Sequence, residues 1–324
     1  MRHDPSIDGL RFAGNVLVAL FHASMFFDPQ TAGPVGKGLW LVSKSAWIVG
    51  MTVLCLVSGW CFFNGLEVRS AEVGLRTWWV DKVVRRVGRL LVPYLLWGVV
   101  FVLVYRLMGS FSPEAAARVS ALGADSAGGC VRNVFNFTTW VLYGPLWYLR
   151  ALFLCALLSV VWATAFRLSQ RPWGRIGVAT VIGVAVTWCV KAVGLRGYGD
   201  FIFILFGIGG GMAVACPKAT RWIPPFFARF AENPLVAKGL LPTGMFLFVT
   251  HLAVNRMILM VVRGWPIGLA YLVVFAGSCA VPILAWHALN KTCPRMLAVF
   301  DGRWIVPISC HSSGVGRASR GEGK

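Results

Sequence analysis

The chain has 324 residues, 57% of them hydrophobic and only 13% charged, with a mean hydropathy of +0.71. That apolar share exceeds what soluble domains carry, and the charges are too few to clothe a soluble particle, so the bilayer is the expected solvent. Nucleic acid is excluded as the partner of the +19 net charge, because the basic residues lie between long apolar runs rather than on one polar face.

A spanning helix needs about 20 mostly apolar residues. Eight stretches are read as spans: 11–27, 45–65, 90–108, 145–166, 175–194, 200–216, 243–262 and 267–289. The expected fold is all-α, a polytopic helical membrane bundle over residues 1–303. Residues 304–324 form a polar, low-complexity tail for which disorder is the expectation. Asp4 and Asp8 interrupt the basic N-terminal region and no small-residue cleavage site follows. The first stretch therefore reads as a retained span rather than a signal peptide. Nine cysteines form no Cys-x-x-Cys pair and join no histidine cluster, so neither a disulfide framework nor a metal site is indicated. Placing the N-terminus in the cytoplasm puts 21 of the 31 Lys and Arg on that side and 8 on the other. This is the positive-inside asymmetry, and both termini are expected on the cytoplasmic face of the cell (inner) membrane.

The first span opens with "RFAGNVLVALFH". At about 100° per residue, Arg11, Asn15, Val18 and His22 share one face, with His22 about 16 Å beyond Arg11. Polar residues in spans usually face a bundle interior or a water-filled cavity, and a neutral imidazole there can take up a proton. A histidine merely bonded to a neighbouring helix is the blander reading. In the second span, Ser58 and Gly59 of "LVSGWCFF" read as small residues for close helix approach, not as a nucleophile elbow. Before the third span, "DKVVRRVGRLLVPY" gathers Lys82, Arg85, Arg86 and Arg89. Topology alone accounts for them, and a seat for a polyanion is the functional alternative.

Arg150 follows "GPLWYL" in the fourth span, and "VTHLAVNR" places His251, Asn255 and Arg256 in the seventh. An arginine at mid-span costs about 2.5–3.5 kcal/mol on insertion scales. Either these arginines snorkel to headgroups, or they line an outward-open polar cavity with His22. The stretch 217–242, with "WIPPFFARFAENP", is too rich in proline and charge to span and reads as interfacial.

The motifs add a resemblance. "IDGLRFAGNVLVALFHA" is similar to the opening of the membrane acyltransferase 3 family of bacterial O-acyltransferases, in which Asp-Gly-Leu-Arg precedes a histidine by ten intervening residues; here these are Asp8, Gly9, Leu10, Arg11 and His22. "LVSGWCFF", "RRVGRLLVPYLLW", "GPLWYLRALFL", "GMFLFVTHLAVN" and "CPRMLAVFDGR" resemble later family elements in family order. The family usually has about ten spans, and the shortfall falls between 216 and 243.

The resemblance implies acyl transfer, usually acetyl from acetyl-CoA as co-substrate with no bound cofactor, to a hydroxyl of a surface or lipid-linked carbohydrate. Membrane lipids are the other partner. It implies His22 as base or transient acyl carrier, with Arg11 as its essential partner in catalysis. Arg86, Arg89 and Arg85 would hold CoA phosphates. Asn15, Arg150, His251, Asn255 and Arg256 would line the cavity or acceptor site. The competing classes are a transporter of a glycan, lipid or anion, and an inactive relative. Against a transporter, the chain shows no internal repeat.

Overall fold

The computed structural model describes residues 4–25, 33–111, 113–121, 126–135, 144–193, 201–262 and 264–303. The expected tail 304–324 and the aromatic stretch 136–143 lie outside them. The described residues are all-α, with no strand among them.

Helix α1 (Pro5–Ser24) begins where the Asp4 side chain accepts from the Ser6 N–H at 3.1 Å and Pro5 occupies the first turn. α2 (Gly33–Phe63) follows, then two short helices, α3 (Leu66–Val73) and α4 (Leu75–Arg86). α4 runs into α5 (Val92–Gly109) through a π-turn over Val87–Leu91, where the Val92 N–H reaches back five residues to the Val87 carbonyl. Pro93 stands next in line with no N–H to offer, so the ladder slips at a point where a regular turn would already lack a bond. The weakly charged loop expected after the third span carries two short helices, α6 (Pro113–Ala121) and α7 (Ala127–Val134).

α8 (Leu146–Leu168), α9 (Pro172–Ala192) and α10 (Ile202–Ala215) match the fourth to sixth expected spans. The expected interfacial stretch folds as α11 (Pro225–Glu232) and α12 (Pro234–Gly239). α13 (Gly244–Val261) and α14 (Ile267–Thr292) match the last two spans, and α15 (Pro294–Phe300) closes the described chain.

A helix stands at each of the eight expected positions, but among the described residues six segments are long and apolar enough to cross a membrane. The two exceptions have distinct physical causes. In α1, Asp8, Arg11, Asn15 and His22 dilute the apolar surface. α10 has only 14 residues, about 21 Å of helix, although it is apolar throughout.

α10 earns its place by its glycines. A Cβ on Gly59 would collide with the Phe206 carbonyl, and one on Gly209 with the Leu56 carbonyl. α2 and α10 therefore cross backbone against backbone, as small residues allow within a bilayer. The aromatic core lies beside this crossing: Phe62, Phe63, Trp78, Trp162, Phe166 and Phe206 are all buried and mostly in edge-on contact. Arg175 binds Glu67 at 2.5 Å and the carbonyls of Ser169 and Val214, tying α3, the α8–α9 turn and the end of α10 together.

Candidate active site

α1 and α13 pack side by side and run parallel. Asn15 donates through Nδ2 to the Gly244 carbonyl at 3.0 Å, and seven residues further along both helices the His22 and His251 rings meet. The shared offset keeps the stripe Arg11, Asn15, Val18, His22 facing the stripe Gly244, Phe248, His251, Asn255. The seam has a different character at each end.

At the Arg11 end lies a cavity of about 810 Å³, within the range of small-molecule sites. Arg11, Arg86, Arg89 and Arg303 line it, against the carboxylates of Asp8 and Asp301. Arg86 stands within electrostatic reach of Arg11 and Arg89, and its guanidinium lies 5.6 Å from the Phe62 ring centroid. Guanidinium groups held together repel, and an anion between them relieves that repulsion. Apolar walls come from α8 and α13, and from Ala231, Ala237, Leu241 and Pro242. The stretch that falls short of two spans therefore closes one side of the cavity.

The C-terminal element completes the floor. Trp286 Nε1 and Arg303 Nη2 both donate to Asp301 Oδ2 at 2.8 Å, and Trp97 Nε1 donates to the Phe300 carbonyl at 3.3 Å. Gly302 sits at φ +67°, and a Cβ there would lie 2.7 Å from Arg89 Cα. Only glycine lets this element dock on the π-turn that carries Arg89. Burial holds the Asp301 carboxyl above the usual carboxylate range, although the Trp286 and Arg303 contacts pull the other way.

At the other end, His22 Nδ1 lies 2.9 Å from the Val18 carbonyl and 3.0 Å from His251 Nε2. The ring centroids are 4.8 Å apart. His251 is fully buried, and its Nδ1 lies 3.1 Å from the Leu247 carbonyl. Phe248, one turn before His251, lines the cavity and packs against Tyr148 at 5.2 Å. Phe248 thus stands between the arginines and the histidines.

The expected site residues divide accordingly. Arg11, Asn15, Arg86 and Arg89 meet in the cavity. Arg85 does not line it; it forms a half-exposed pair with Asp81 one turn back on α4. Lys82 bonds to the Phe62 carbonyl at 2.7 Å instead. His22 and His251 meet each other but do not line the cavity expected to hold His22.

Arg150 is fully buried and bonded to the Tyr94 hydroxyl of α5, so it does not snorkel, and it does not line the cavity either. Arg256 donates to the Tyr105 hydroxyl and lies over that ring at 5.3 Å, which offsets its cost inside the bundle. Asn255 is fully buried one turn beyond His251, and both its polar atoms lack a hydrogen-bond partner among the described residues.

Five polar or charged cavity residues escaped the reading of the residues as site members: Asp8, Ser58, Tyr148, Asp301 and Arg303. Tyr148 pairs its hydroxyl with Ser58 Oγ at 3.2 Å. Their signal was present, since each falls inside a stretch quoted for the family resemblance.

A family model described as an acyltransferase domain matches residues 4–306. No curated protein and no solved structure matches the chain.

Proposed function

The chain belongs to the membrane acyltransferase 3 family, and from that premise we propose that it moves an acetyl group from acetyl-CoA to a hydroxyl of a surface or lipid-linked carbohydrate. The observation that carries this reading is the cavity in which Arg11, Arg86, Arg89 and Arg303 converge at the foot of the stripe that ends in His22. Coenzyme A presents phosphates at one end and a thioester at the other. Arg86 and Arg89 bind the phosphates, with Arg303 and Arg11 beside them. The pantetheine arm follows the α1–α13 seam past Asn15, and Phe248 turns aside to admit the thioester.

His22 supplies an unprotonated ring nitrogen. In direct transfer, that nitrogen takes the proton of the acceptor hydroxyl as its oxygen attacks the thioester carbonyl. The C–S bond breaks, and the imidazolium returns the proton to the CoA thiolate. In the two-step route the nitrogen attacks first and CoA leaves as thiolate from an acyl-imidazolium; the acyl group then passes to the hydroxyl, whose proton goes to the thiolate. Both routes require the same lone pair. Asn255, buried one turn beyond His251 on the same helix, is the residue we assign to the acceptor side. On this reading the donor arrives from the cytoplasm, and the arginine end and both termini face that side of the cell membrane.

The test uses purified protein in nanodiscs with acetyl-CoA and a glycan acceptor. His22→Ala lowers transfer by about 10²–10⁴-fold, the range for a positioned acid–base group, with normal insertion and abundance. Undiminished transfer in that variant removes the catalytic assignment. Comparing the O-acetyl content of surface glycans with and without the gene identifies the acceptor.

A further inference from the structure

The proposed reaction needs a lone pair on a defined nitrogen of His22, and the hydrogen bonds around the two histidines say which one. A carbonyl oxygen only accepts, so each carbonyl is a fixed point in assigning the protons. The Leu247 carbonyl lies 3.1 Å from His251 Nδ1, so that nitrogen carries a hydrogen. His251 is fully buried, and its hydrogen-bond partners among the described residues are the backbone of Leu247 and Phe248 and the His22 ring, none of them a carboxylate. An unpaired charge there would be costly, so the ring is uncharged, and its Nε2 is bare and accepts.

The atom 3.0 Å from that bare nitrogen is His22 Nδ1, which therefore donates. The Val18 carbonyl, 2.9 Å away, makes the same demand on the same atom. One N–H is thus shared between two acceptors, and an uncharged His22 keeps its lone pair on Nε2. That Nε2 has no hydrogen bond to a described residue. It is also not among the buried polar atoms lacking a partner, and the residue is partly exposed. It is the accessible nitrogen.

We infer that His251 is a positioning residue for His22: it accepts the Nδ1–H from the parallel helix α13, fixes the ring, and leaves Nε2 as the reacting nitrogen. Val18 cannot do this alone, because it belongs to the helix that carries His22 and anchors the ring only to its own backbone. As Nε2 takes up a proton or an acyl group, positive charge develops on the ring and the Nδ1–H bond to His251 strengthens. The contribution of His251 therefore falls on the chemical step and not on donor binding. This inference rests on the reading of His22 as the base or acyl carrier.

Three variants in nanodiscs test it, each with kcat and the KM for acetyl-CoA, alongside abundance and melting temperature. His251→Leu fills similar space but cannot accept. It lowers kcat by about 10²-fold, the loss expected of a misplaced reacting group, with KM within about twofold. His251→Gln places a side-chain oxygen where Nε2 stood and restores kcat to within about tenfold of wild type. His22→Ala is inactive.

Wild-type kcat in His251→Leu beside an inactive His22→Ala overturns the positioning role alone. So does a His251→Gln no faster than His251→Leu at equal melting temperature, since the ring then only packs. An active His22→Ala sinks the reading of His22 itself. Should His251→Leu fail to fold, ¹⁵N NMR of histidine-labelled wild type decides: a protonated Nδ1 and bare Nε2 on His22 support the inference, and the opposite tautomer overturns it.

Discussion

The two ends of the α1–α13 seam share the same helices and have opposite chemistry. Around Arg11 the wall is cationic and open, built from α1, the π-turn, and the Asp301–Arg303 element. Around His22 the polar groups are two imidazoles bonded to each other and to carbonyls of their own helices. The difference teaches that α1 supplies the polar stripe but its neighbours decide what each group can do. Where the short helix α11 packs against α1 and the cavity opens beside it, the arginines keep room for a ligand. Where another long helix packs against it, the side chains are forced to satisfy one another. On the proposed reading, charge for holding and a bare nitrogen for reacting lie about 16 Å apart, eleven residues of helix.

The contrast can be broken most directly at the cationic end. Arg86→Glu with Arg89→Glu removes two charge-assisted contacts, each worth about 1.5–3 kcal/mol, so the KM for acetyl-CoA rises by at least about 10²-fold. Arg85→Glu disturbs only an exposed pair and leaves KM within about twofold. Equal effects from both would show that the loop acts through topology and not through the cavity. Gly302→Ala forces a side chain into a left-handed backbone position against Arg89. It costs about 1–3 kcal/mol, read as a lower melting temperature together with a raised donor KM; a wild-type KM would separate the C-terminal element from donor binding.

Smaller effects sharpen the boundary between the ends. Asn15→Ala removes the tie to Gly244 at the outer edge of the cavity. It lowers stability by about 1 kcal/mol, measurable by thermal unfolding, and an unchanged melting temperature would show that the tie does not hold the seam. The smallest effect concerns pH. Because the folded Asp301 carboxyl lies above its ordinary value of 3.8, the folded state holds that proton more tightly than the unfolded chain does. The stabilisation is present below 3.8 and is lost as pH rises through the folded value. Asp301→Asn does not titrate, so the melting temperature of wild type relative to this variant falls as pH rises across that window. A constant difference would refute the shift.

Much of this was legible from local pattern. Apolar runs placed eight helices to within a few residues at most ends, and the 100° geometry put Arg11, Asn15 and His22 on one face. The motif positions of Arg86 and Arg89 were readable too. What local pattern could not supply was the partner of each polar group. Asn15 and Gly244, like His22 and His251, are 229 residues apart, and helical periodicity carries no information over that distance. For the same reason Arg150 and Arg256 were assigned to a cavity when each is bonded to a tyrosine of α5. Arg85 was grouped with Arg86 and Arg89 because adjacency in sequence hides that successive residues point about 100° apart. Arg303 went unassigned because its role depends on Gly302 docking onto a turn more than 200 positions earlier.

The π-turn at Val87–Leu91 has a consequence for how the arginines are addressed. A turn of this kind holds one residue more than the regular ladder requires, so it sets a rotational phase between the segment before it and α5. Regularising the turn into an ordinary ladder with every residue kept would swing Arg86 about 100° around the axis relative to α5. Every functional group would survive, and on the proposed reading the donor would find its guanidinium groups facing the wrong way.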